Sequence, residues 1–199
     1  AGKRSAVLAC ENSLKRLDTD YLDLYLLHWR GSIPLSETVE VMEHLIKDGK
    51  IKRWGVSNFD IEDMEELFEV PNGSNCAVNQ VLYHLGSRGT EYDLLPWCRE
   101  KNIPVMAYCP IAQGGSLRRE LLENRVVKKI AENRGISCVQ VLLAWTVREN
   151  NIISIPKAVR EKHIIENAET AGIYLSKKET EELNLEFPAP DRKIYLDIV

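Results

Sequence analysis

The sequence predicts an α/β fold built on a parallel sheet, and three observations carry that prediction. Short apolar stretches bounded by turn residues begin near positions 22, 51, 76, 103 and 152. Each is followed by apolar residues at helical spacing. Polar side chains collect just beyond the stretches, where the carboxyl ends of strands in a helix-covered parallel sheet meet a ligand. Alternation of this kind gives right-handed crossovers between parallel strands.

The elements follow in order. Val7, Cys10, Leu14 and Leu17 mark one buried face of a first helix over residues 5–17. Residues 22–27 are apolar except for Asp23, lie between Asp18-Thr19-Asp20 and Gly31-Ser32-Ile33-Pro34, and read as the first strand. Ser36 is a candidate N-cap for a helix with Val39, Met42, Leu45 and Ile46 inside and Gly49 at its stop. A second strand runs from Ile51 to Val56. Asp60 with Asp63 opens the next helix, carrying Ile61, Met64, Leu67 and Phe68, and Pro71-Asn72-Gly73 turns the chain into a third strand, Cys76 to Tyr83. A short helix holds Leu94, Leu95 and Cys98, and Ile103 to Tyr108 is the fourth strand. Beyond a Gly114-Gly115 loop two helices are expected, one from Val126, Val127 and Ile130, the other from a Ser137/Gln140 capping box. Ile152 to Ile155 is the fifth strand. A helix around Ile164, Ile165 and Ala168 follows, then a last one opened by Ser176 with Glu179.

With 199 residues and no Ser/Gly/Pro-rich linker, one domain over 1–199 is expected. A hydrophobic content of 44% is globular, the apolar runs are too short to span a membrane, and the start lacks a signal-like apolar segment. A soluble, cytoplasmic protein is the expectation. The net charge of −4, mixed in sign along the helices, argues against nucleic-acid or membrane partners. Five cysteines (Cys10, Cys76, Cys98, Cys109 and Cys138) are odd in number and lack CxxC spacing, suggesting neither a disulfide framework nor a zinc site. Neither GxGxxG nor a Walker A sequence occurs, so a bound nucleotide would need another loop set.

The strand-end residues form a series: His28-Trp29, Ser57-Asn58, Asn79-Gln80, Tyr108-Cys109-Pro110 and Lys157. A lone histidine in such a place is ordinarily a core-edge group satisfied by a backbone carbonyl. Together with Asp20-Tyr21-Leu22-Asp23-Leu24, Gly55-Val56-Ser57-Asn58-Phe59, Ile155-Pro156-Lys157 and Glu166-Asn167, the series resembles the aldo-keto reductase family over nearly the whole chain.

That resemblance implies a (β/α)8 TIM barrel, here incomplete with about five βα units, and hydride transfer from NADPH to a small aldehyde or ketone, the cofactor lying extended across the barrel mouth. It gives His28 the task of orienting and polarising the carbonyl and Trp29 a place in the substrate pocket. Ser57, Asn58 and Gln80 would hold the nicotinamide carboxamide, a group that needs donors and acceptors to fix which ring face is presented. Tyr108 would stack on the nicotinamide. Lys157 would bind the 2′-phosphate, in a basic cluster with Arg160, Lys162 and His163, and Glu166 and Asn167 would lie near the adenine. Basic side chains at a helix start oppose its dipole, and a bound phosphate gives them a reason. Ala158 and His163 depart from the family's usual serine and arginine, so NADH is allowed beside NADPH.

The family's chemistry also needs a proton-donating tyrosine, a lysine that lowers its pKa and an aspartate paired with the lysine. Such a donor is commonly worth about 10²–10⁴ in rate. None of the seven tyrosines here occupies that motif, and in the family all three groups come from earlier strands. Five strands fall roughly three βα units short of a closed barrel. This stretch is then part of a longer chain, or a partner chain supplies the remainder. Little reductase activity is expected of it alone, and its open sheet edges invite self-association. The rival expectation is a non-catalytic NADP-binding or interaction module of reductase-like fold.

Overall fold

The computed structural model describes residues 2–199. The chain divides into two compact units, one ending at Gln80 and one running Val81–Val199. The fold is α/β, with every strand pair given below parallel.

The first unit holds α1 (Lys3–Leu17), β1 (Tyr25–Leu27), α2 (Leu35–Lys47), β2 (Trp54–Ser57), α3 (Ile61–Glu69) and the start of β3 (Asn79–Leu82). The inner face of α1 is Ala6, Cys10 and Leu14, rotated from the expected one, because Leu17 is 64% exposed. A left-handed Asp18 ends the helix, its N–H reaching the Leu14 and Lys15 carbonyls. The first strand is shorter than its apolar run. Leu22 makes only an isolated bridge to Ile51, and Asp23 turns outward to Lys52 at 2.7 Å. Helix α2 begins at Leu35, one residue before the expected Ser36 cap, because Leu35 is itself buried.

β1 pairs with β2 through Tyr25↔Trp54, Leu26↔Gly55 and Leu27↔Val56. β2 pairs with β3 through Val56↔Asn79 and Ser57↔Gln80. Gly55 is required by close approach, since a Cβ there would sit 2.6 Å from Val78. Buried Trp54 satisfies its indole N–H on Glu43 at 2.8 Å.

The second unit holds α4 (Leu94–Glu100), β4 (Val105–Tyr108), α5 (Gly115–Glu123), α6 (Arg125–Arg134), α7 (Cys138–Thr146), β5 (Ile152–Ser154), α8 (Glu161–Glu169) and α9 (Lys177–Glu186). β4 and β5 pair through Val105↔Ile152, Met106↔Ile153 and Ala107↔Ser154. The connection between them carries three helices, not the expected two. Helix α5 escaped because it opens on Gly115 and buries only Leu121, leaving almost no periodic signal. Helix α7 is buried continuously from Gln140 to Thr146, whereas α8 buries no residue. Its Ile164 and Ile165 are about half exposed, against the expected inward face. The capping boxes at Asp60/Asp63, Ser137/Gln140 and Ser176/Glu179 all form. Among the described residues no helix is long and apolar enough to cross a membrane.

A charged knot sits inside the second unit. The Tyr83 hydroxyl donates to Glu91 at 2.6 Å, Arg88 reaches the other Glu91 oxygen at 2.6 Å, and Arg148 donates to the Tyr83 oxygen and to Glu91 at 2.8 and 3.0 Å. The Arg148 guanidinium lies 3.8 Å over the Trp145 ring. Burial pushes the Tyr83 phenol far up. For Glu91 burial alone would raise the pKa, but Arg88, Tyr83 and Arg148 outweigh it and hold the carboxyl below its usual range.

A carboxylate depressed in this way stabilises the fold above its unfolded pKa and loses that contribution as pH falls through the lower folded value. Glu91→Gln is expected to cost about 3 kcal/mol at pH 7. Urea unfolding from pH 7 downward should show the parent losing more stability below about pH 5 than the variant does.

Candidate functional site

In the first unit the expected residues gather at neighbouring strand ends. His28 and Trp29 follow β1, both exposed, with ring centroids 5.4 Å apart and planes tilted by 30°. At 46% exposure Trp29 contributes little to a core.

β2 ends in Ser57, which is 1% exposed. Its Oγ donates to the Gln80 carbonyl at 3.0 Å, and the Asn58 N–H donates to the same oxygen at 2.8 Å. Asn58 adopts a left-handed backbone, φ 59°, which a non-glycine residue enters at a cost and which asparagine tolerates best. Its side-chain Nδ2 points back to the His28 carbonyl at 3.4 Å. The next carbonyl, that of buried Phe59, accepts from Asn79 Nδ2 at 2.8 Å. Three consecutive residues at the end of β2 are thus fastened by two consecutive residues of β3. The outcome is a pair of half-buried amide side chains, Asn58 and Gln80, on adjacent strands. Amides present donor and acceptor together and can fix the orientation of another planar amide. The Ser57 hydroxyl has one proton and gives it to Gln80, so it meets a further group as an acceptor.

In the second unit Tyr108 closes β4, half-buried, with burial first among the causes that raise its phenol pKa. Two non-glycine residues just beyond it, Cys109 and Ala112, have positive φ of 49° and 59°. Backbone strain of this kind clusters at ligand clamps. Lys157 lies three residues past β5 and is exposed, as are Arg160 and His163. Lys162 is also exposed and meets Glu166 at 3.7 Å, while the Glu166 carbonyl accepts from Gln140 and Thr170. The basic cluster therefore faces solvent at the start of α8. Asn167 lines a hollow of about 540 Å³ with Ser154 and Tyr174. The Ser154 Oγ in its wall is buried without a partner.

A separate hollow of about 1010 Å³ in the first unit lies against α1 and α2, lined by Leu8, Glu11, Glu40 and His44 among others, and by none of the expected site residues. The sequence reading gave no role to Asn79. Its signal was a second polar residue, next to Gln80, in a strand whose remaining interior residues are apolar. The strained turn at Cys109 and Ala112 carried no compositional mark, since neither residue type favours positive φ.

Comparison with known proteins places this chain among reductases. A model described as the aldo/keto reductase family matches residues 2–185. Methylglyoxal reductase YeaE of Escherichia coli (strain K12) is 56% identical over 199 residues, covering 100% of this chain and 70% of that protein. Glyoxal reductase of Bacillus subtilis (strain 168) is 38% identical over 183 residues, covering 92% of this chain and 63% of that one. The crystal structure of an aldo-keto reductase from Klebsiella pneumoniae in complex with NADPH superposes with a TM-score of 0.98 at 55% identity, covering 100% of this chain and 70% of that one. The chain thus spans between 63% and 70% of the length of these three.

Asn58 gives a check on the local backbone. Asn58→Gly should keep the fold with an unfolding free energy within ~0.5 kcal/mol of the parent. Asn58→Val, β-branched in a left-handed position, should lose about 1–3 kcal/mol. Paired denaturation curves measure both.

Proposed function

The chain belongs to the aldo/keto reductase family, and from that premise we propose that it serves the reduction of small aldehydes or ketones to alcohols with NADPH. Short reactive carbonyl compounds, of the kind for which the Escherichia coli and Bacillus subtilis relatives are named, are the proposed substrate class. The observation that carries the proposal is the half-buried amide pair Asn58 and Gln80, fixed on adjacent strands by bonds from β3 to the end of β2.

When bound, the cofactor supplies the hydride. The chain's own residues bind and orient. Asn58 and Gln80 grip the carboxamide, and Ser57 accepts from its N–H. His28 holds the carbonyl oxygen of the substrate and Trp29 lines its apolar side. In the second unit Tyr108 offers a ring face to the nicotinamide, Lys157 and His163 attract the 2′-phosphate, and Glu166 and Asn167 face the adenine end. NADH is the weaker alternative, because a lysine still binds a ribose that lacks phosphate, though with one charge-assisted contact fewer.

Turnover by these residues alone is proposed to be weak. Protonating the oxygen needs a positioned acid, and a phenol near pKa 10 needs a lowering partner; none of the seven tyrosines fits that place in the family's sequence pattern. Retained cofactor groups without the acid equally support a second reading, a non-catalytic NADP-binding or interaction module. Self-association is proposed at β5, which pairs with β4 in the second unit and leaves Ile153 and Ile155 47% and 38% exposed.

Quenching of tryptophan fluorescence by NADPH, run beside NADPH oxidation with methylglyoxal, tests these statements. Lys157→Ala should weaken NADPH about tenfold, ~1.4 kcal/mol, and change NADH by less than about threefold. Folded protein that binds neither nucleotide would sink the proposal. Binding that never yields turnover, even in a protein that also carries the family's proton-donating groups, would select the module.

A further inference from the structure

We infer that Asn79 is a positioning residue that sets the carboxamide grip of Asn58, a role that rests on the reading of Asn58 and Gln80 as carboxamide-binding groups. Asn79 is 0% exposed. Its Nδ2 donates to the Phe59 carbonyl at 2.8 Å, while its Oδ1 is buried with no partner. An orphaned buried acceptor costs stability, and an apolar side chain of similar volume would avoid that cost. The amide is therefore retained for its donor half, and the donor half points to one place, the residue directly after left-handed Asn58. From the other side the Asn58 N–H donates to the Gln80 carbonyl at 2.8 Å, and its Nδ2 makes a long contact to the His28 carbonyl at 3.4 Å. Without the Asn79 bond the peptide that follows Phe59 is held by its N–H alone, on the Asp63 carboxylate at 3.2 Å, and its tilt passes back to Asn58, which relaxes toward negative φ and turns its side-chain amide. Asn79 touches no ligand in this scheme and acts through the backbone of its neighbour.

The test compares NADP⁺ with its 3-acetylpyridine analogue, which keeps the ring carbonyl but replaces the amide NH₂ with methyl, and uses 2′,5′-ADP as a probe lacking the nicotinamide altogether. The parent protein should bind NADP⁺ at least fivefold more tightly than the analogue. Asn79→Asp, isosteric but with an acceptor facing the Phe59 carbonyl, should bring that ratio within twofold while leaving 2′,5′-ADP affinity unchanged. Asn79→Leu, which keeps volume and removes both polar atoms, should do the same, with circular dichroism and unfolding curves confirming the fold. In an Asn58→Gly background neither substitution should lower the ratio further, because the residue through which Asn79 acts is gone. Folded Asn79 variants that keep the parental ratio overturn the inference and leave the carboxamide reading standing. Loss of folding in both variants assigns Asn79 to stability and overturns it as well. A folded parent that binds NADP⁺ no better than the analogue removes the carboxamide reading and the inference with it.

Discussion

The register between β2 and β3 is the constraint from which the rest of the first unit follows. Val56 lies opposite Asn79 and Ser57 opposite Gln80, and the ladder continues one step past the strand, where the Asn58 N–H takes the Gln80 carbonyl. A parallel pair slipped by one residue would turn every side chain to the other face. Ser57 would lose its acceptor, and Asn79 would carry its amide away from Phe59. Gly55 protects the arrangement from below, because only a residue without Cβ lets Val78 come so close.

Polar atoms are admitted to both interiors on the same terms. Each arrives with a partner: Trp54 on Glu43, Thr146 on the Leu142 and Pro110 carbonyls, Trp145 on Asn184. The knot of Tyr83, Arg88, Glu91 and Arg148 is the extreme case, since one partly buried carboxylate serves three donors. Such a cluster adds little net stability against well-packed apolar residues, but it is costly to break from one side. It fixes the turn after β3 to the end of α7, and the loop cannot shift without leaving a charge unpaired. The exceptions, Asn79 Oδ1 and Ser154 Oγ among them, are the places where packing alone does not account for the residue type.

What could be read in the sequence was whatever is decided locally. The three capping boxes rest on side chains three residues apart and form as read. The strand positions were legible because turn residues bracket them, and the family resemblance was legible because its phrases sit at strand ends, where side chains answer to ligands more than to neighbours. The α1 face was misjudged because Val7 and Ala6 are both acceptable inside, and only contact with α2 chooses between them. Helix α5 was invisible with one buried leucine. Ile164 and Ile165 read as an inner face through spacing alone, although both stay about half exposed in the second unit. Asn79 stood in plain view beside Gln80, yet its donor bond belongs to a residue 20 positions away, a separation no periodicity reports.

Helix α8 is joined to its surroundings by its backbone more than by its side chains: no residue in it is buried, and the Glu166 carbonyl is gripped by Gln140 and Thr170. An element with no buried residue, its isoleucines already about half exposed, returns little apolar surface to water when it opens and separates from the fold at a free energy well below that of global unfolding. Its amide protons therefore exchange through brief local excursions, on a schedule set by two side-chain bonds. Anything anionic that settles on its lysine and histidine slows that traffic before it alters the rest of the molecule.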